Sequence, residues 1–129
     1  MRILTANIKW IMLVSGLLTC TMFYAAIAPH ASLRSTFGES VEGAVAEIVV
    51  RNWGALIGIV GVLLIYGAFN PAIRPVALTV AGVSKVVFIG LVLTLGRPYL
   101  GHQAGVAVVV DTVMVAIFAV YLLTARPSA

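Results

Sequence analysis

The stretch 75–96, PVALTVAGVSKVVFIGLVLTLG, and the stretch 105–125, GVAVVVDTVMVAIFAVYLLTA, decide the fold. Each is apolar almost throughout and close to the roughly 20 residues that cross a hydrocarbon core about 30 Å thick. Each is interrupted once in its interior by an ionisable residue, Lys85 in the first and Asp111 in the second. A charge in hydrocarbon costs several kcal/mol or more unless it meets a partner or water, so both side chains are expected inside a bundle. Working outward, the same reading gives spans at about 8–28, 45–69, 75–96 and 104–125. Pro29 follows the first, the turn Asn70 and Pro71 ends the second, and Pro75 opens the third at a favoured first-turn position. Short connections make successive spans antiparallel. The predicted fold is all-α, a single domain over 1–129 built as an integral membrane bundle of four antiparallel transmembrane helices.

Composition points the same way. Hydrophobic residues make up 62% of the chain and charged residues 9%, with a mean hydropathy of +1.14. Soluble domains carry about 25% charged residues. The lipid bilayer is therefore the expected solvent. The net charge of +4 comes from basic residues scattered singly, without the clustered patch or interleaved aromatics of a nucleic-acid binder. Nucleic acid is excluded as a partner. Cys20 is the only cysteine, which excludes an internal disulfide and a two-thiol relay within this chain. The apolar stretch after Arg2 is long for a signal peptide, and Pro29 would follow a cut awkwardly, so the first span is expected to be retained.

The segment 29–43 is the one long connection, and it holds His30, Arg34, Glu39 and Glu42, too polar for a fifth span. Arg2, Lys9, Arg74 and Arg126 fall on one side of the bundle without acidic company. Arg34, Arg51 and Arg97 fall on the other, offset by Glu39, Glu42 and Glu47. The rule on basic residues then predicts both termini in the cytoplasm, in an inner or cytoplasmic membrane.

Helical spacing gathers the polar residues. Glu47, Arg51, Gly54, Gly58 and Gly61 recur at steps of four and three along one stripe of the second span. Glycines there either let a neighbouring helix approach closely or line a ligand. Glu47 is the natural i−4 partner of Arg51. At 1.5 Å per residue, Lys85 lies roughly 17 Å and Asp111 about 11 Å below the same end of their helices. A gap of about 6 Å is within reach of an extended lysine, whereas snorkelling from mid-span is not. Two linked pairs are expected, Glu47 with Arg51 and Lys85 with Asp111.

Other chemistry finds no pattern. His30, Glu42, Glu47 and His102 could ligate a metal but lack ligand spacing, so no metal is expected. There is no phosphate loop, no Ser/His/Asp elbow and no pair of histidines within spans to hold haem. No cofactor and no catalytic residue are expected. Trp53 and Tyr99 read as interfacial anchors, and Met12, Met22 and Met114 as packing.

This pattern resembles the DoxX-like group of small four-helix membrane proteins. The likeness runs from Ala28 to Leu123 and rests on the proline after the first span, Glu47 and Arg51 at the start of the second, Lys85 in the third and Asp111 in the fourth. The resemblance implies a four-helix bundle; some members accompany quinone-linked oxidoreductases or act as assembly helpers. No catalytic residue carries over from it. The leading expectation is a non-catalytic accessory or assembly subunit, meeting other membrane subunits or further copies of itself through lipid-facing helix surfaces. The alternative is a quinone- or lipid-binding protein, or a proton-coupled carrier, with Lys85, Asp111 and Arg51 as its polar floor. An inverted repeat would favour a carrier, and the sequence has none.

Overall fold

The computed structural model describes residues 2–124, with side chains from Ala6 onward. The chain forms α1 (Arg2–Cys20), α2 (Phe23–Ile27), α3 (Pro29–Phe37), α4 (Ala44–Phe69), α5 (Arg74–Leu95), a 3-10 turn (Arg97–Gly101) and α6 (Gln103–Thr124). Four helical stretches, Ala6–Ile27, Ala44–Phe69, Arg74–Leu95 and Gln103–Thr124, are long and apolar enough to cross a membrane. The protein is an all-α, four-helix integral membrane protein. The expected end of the fourth span at Ala125, and Arg126 beyond it, lie outside the described residues.

The first span departs from a single straight helix. It breaks at Thr21 and Met22, between α1 and α2. The threonine hydroxyls on either side bond back into the helix, Thr19 Oγ1 to the Ser15 carbonyl at 2.7 Å and Thr21 Oγ1 to the Leu18 carbonyl at 2.5 Å. Hydroxyls that compete for helix carbonyls often bend the axis, although the same back-bond from Thr112 to the Val108 carbonyl leaves α6 unbroken. Pro29 does more than stop this span. Ala28 before it leaves the helical region (φ −131°, ψ 72°), as residues before proline do, and Pro29 then occupies the first turn of α3. The polar connection 29–43 thus contains a helix that its composition does not announce. That helix ends at Gly38, whose φ of 79° suits glycine and whose N–H bonds the Arg34 carbonyl.

At the opposite end, Arg74 ties the turn between α4 and α5. Its guanidinium donates to the carbonyls of Gly67 at 3.1 Å and Ala68 at 2.8 Å, two of the orphan acceptors at the end of α4. Lys9 lies over the rings of Trp10 and Phe69, at 5.1 and 4.8 Å from their centroids, at the same end.

Packing divides the bundle into two unlike halves. α1 and α2 pack closely on α4, α4 on α5 and α5 on α6, while α6 meets α1 only sparsely. In the half nearer the termini the core closes tightly around Ile8, Met12, Leu64, Leu78, Ala81 and Phe118. Large side chains from all four spans fill that end. In the half nearer α3, the loose seam between α1 and α6 leaves the bundle open. Valines and leucines facing away from the core, among them Val83, Val87, Leu91 and Val109, form the lipid-facing surface.

An interhelical cavity with an ion pair on its wall

The open half holds a cavity of about 630 Å³ between α1, α4, α5 and α6, roofed toward α3. Its walls are mostly apolar: Leu18, Met22, Trp53, Ile57, Phe88 and Val110 all contribute. Of its polar residues, Ser15, Ser84, Lys85 and Asp111 sit where it meets the close-packed half, while Thr19 and Thr21 follow further along α1 with their hydroxyls bonded to helix carbonyls. Thr36 and Gln103 line the end nearer α3.

Lys85 and Asp111 stand on facing helices, with Nζ 2.8 Å from Oδ1. Their side chains are only 11% and 18% exposed, and that exposure is toward the cavity they line. Ammonium and carboxylate each keep unused capacity, since Lys85 has three N–H groups and Asp111 a second oxygen. Ser15 is more enclosed still, at 1% exposure, and its hydroxyl has no hydrogen-bond partner among the described residues. An unsatisfied buried hydroxyl costs roughly 1–3 kcal/mol, so its place on a cavity wall calls for a chemical reason.

Glu47 and Arg51 form the second pair, Arg51 Nη2 to Glu47 Oε1 at 2.9 Å, and it stands apart from the first. The guanidinium turns to the end of α2, donating to the Ala26 carbonyl at 2.6 Å and the Ile27 carbonyl at 3.4 Å. Neither residue is among those lining the cavity. Arg51 therefore caps the carbonyls freed by Pro29, and the polar floor of the cavity consists of Ser15, Lys85 and Asp111 instead. His30 joins the outer pair, with Nε2 at 3.9 Å from Glu47 and Nδ1 at 2.9 Å from the Ser40 hydroxyl.

Gly54, Gly58 and Gly61 face α1 and α2. A Cβ on Gly54 would fall 2.7 Å from that of Ala25, one on Gly58 2.6 Å from the Phe23 ring, and one on Gly61 2.7 Å from the Cys20 amide nitrogen. These glycines pack helices, and on α4 it is Trp53, Ile57 and Val60 that line the cavity.

Contacts along α3 hold the roof down. Ser35 Oγ donates to Gln103 Oε1 at 3.0 Å, the Phe37 and Tyr99 rings meet edge to face at 5.5 Å, and the Tyr99 hydroxyl donates to Glu39 at 3.1 Å. The Glu39 carboxylate raises the Tyr99 phenol above its ordinary value, keeping it a donor. Tyr99, read from sequence as an interfacial anchor, is thus also a strut.

Sequence reasoning passed over Ser15. A signal was present, since Ile8, Met12, Ser15 and Thr19 recur at steps of four, three and four, and all four are buried. The polar half of that stripe faces the cavity. No known protein family, curated protein or solved structure matches the chain.

Proposed function

We propose that the protein binds a membrane-dissolved small molecule, a quinone or a lipid, in the cavity between its four spans. The observation that carries this reading is an apolar cavity of about 630 Å³ with an ion pair and an unpartnered hydroxyl at one end. Small-molecule sites have about 300–1,000 Å³ and combine apolar walls with a few placed polar groups. An accessory subunit working only through its lipid-facing surface would have no use for such a site. A proton-coupled carrier would need a second arrangement of the helices, for which the chain supplies no repeat. The DoxX-like resemblance fits this proposal through its quinone-linked members. Native mass spectrometry of the protein released gently from its membrane tests it. A small molecule bound to the intact chain is the expected result; a bare chain held by a second protein would overturn it in favour of the assembly role.

We further propose that both termini face the cytoplasm and that α3 lies on the outer side of an inner or cytoplasmic membrane. The sequence places Arg2, Lys9, Arg74 and Arg126 toward the terminal end against Arg34, Arg51 and Arg97 toward the other, and this excess of basic residues supports the orientation. Fusions of a reporter active only outside the cytoplasm should be silent at either terminus, and activity at a terminus would reverse the assignment.

A further inference from the structure

Resting on that reading, we infer that the cavity takes an uncharged amphiphile whose oxygen-bearing head lies against Ser15, Lys85 and Asp111 and whose apolar body extends toward α3. The orientation follows from the packing. Met12, Leu78 and Phe118 close the bundle just beyond the polar end, so a head group placed there has no room to carry its tail further in that direction. Toward α3 most of the wall is Leu18, Met22, Trp53 and Val106, which suit a hydrocarbon body; of the polar residues on that side, Thr19, Thr21 and Gln103 are already hydrogen-bonded within the fold, and Thr36 remains.

The charge of the head follows from the pair. Lys85 and Asp111 sum to zero in a largely desolvated site, and their contact at 2.8 Å already neutralises each. A third ionised group would leave a net charge among apolar walls, which is costly where water cannot screen it. A neutral oxygen meets no such cost and finds the Lys85 ammonium in place, while the Ser15 hydroxyl, buried behind the cavity wall, would reach the head by rotating about its Cα–Cβ bond. The Lys85 ammonium has N–H groups beyond the one given to Asp111, and the Ser15 hydroxyl has a proton no described residue accepts. A head that also carries a hydroxyl can donate to the second oxygen of Asp111. A quinone carbonyl and the ester and hydroxyl groups of an acylglycerol share this chemistry.

The chain contains a convenient reporter. Of its two tryptophans, Trp53 lines the cavity and Trp10 lies exposed at the opposite end. In Trp10→Phe, fluorescence reports from Trp53 alone. Decylubiquinone, monoolein and hexadecylphosphate are titrated in turn against this protein in detergent. At least one neutral probe should give a saturable change, with the ionised phosphate binding at least about tenfold more weakly. The neutral probe that binds tighter identifies the head as quinone or acylglycerol. Adding Ser15→Ala should weaken that probe about fivefold, the loss of one hydrogen bond, without lowering the melting temperature, because Ser15 Oγ bonds nothing in the fold. Hexadecylphosphate binding as tightly as the neutral probes, or Ser15→Ala leaving affinity unchanged, would overturn the inference while leaving the cavity as a binding site. No saturable change with any of the three would overturn the binding reading itself.

Discussion

Lys85→Met or Asp111→Asn alone is expected to lower the stability of the folded bundle by about 3 kcal/mol, because either change leaves its partner charged and unpaired beside apolar walls. The double substitution Lys85→Met with Asp111→Asn should cost less than the two single losses together. The coupling should lie at roughly 0.5–3 kcal/mol, as for residues in contact. Unfolding measured in detergent for the four proteins of the cycle gives this number directly. Strictly additive losses would mean that the 2.8 Å contact is energetically idle and that each charge is satisfied separately.

Gly61→Ala is expected to destabilise the bundle by about 1–3 kcal/mol despite adding one methyl group. The new Cβ would lie 2.7 Å from the Cys20 amide nitrogen and 2.8 Å from the Gly16 carbonyl oxygen, and backbone atoms can yield only if α1 and α4 separate. Gly58→Ala meets the Phe23 ring instead, a side chain with some freedom to turn, and should cost less. Gly58→Leu is too large for that accommodation and should disrupt the fold. Gly82→Ala is the internal control: nothing lies within 4 Å of its added carbon, so better helix propensity should leave stability equal or higher by up to about 1 kcal/mol. Thermal melting of the four variants in one detergent orders them. Equal melting temperatures for Gly61→Ala and Gly82→Ala would show that α1 and α4 are not held at the observed distance.

What the sequence made legible follows from how strongly lipid constrains a chain. The spans at 45–69, 75–96 and 104–125 fall within one residue of α4, α5 and α6 wherever their ends are described, because an apolar run of membrane length has one stable form. The first span was harder to read. Thr19 and Thr21 look innocuous in an apolar run, yet their back-bonded hydroxyls flank a break, and Pro29 serves as both a stop and a start. The helix Pro29–Phe37 is not legible in the sequence because it is short and polar, with Pro29, Ser32 and Leu33 as its buried residues.

The candidate site was legible where depth and helix adjacency bring residues together, as for Lys85 and Asp111. Arg51 shows the limit of that arithmetic. Its height near the end of α4 was readable from sequence, but its preference for the Ala26 carbonyl depends on where α2 ends. The cavity depends on a looseness between α1 and α6 that no local pattern encodes, since each helix alone has an ordinary apolar face. Ser15 acquires its meaning only once that space exists.

The central claim is that the space between the spans holds a small molecule, and filling it tests this most directly. Ala107 lines the cavity, and Ala107→Phe places a ring inside it. Native mass spectrometry of both proteins, released from the same membrane, should show a bound small molecule on the wild type and a bare chain for Ala107→Phe, with the variant melting no lower than the wild type. The same small molecule retained on a well-folded Ala107→Phe, or none on either protein, would contradict the account.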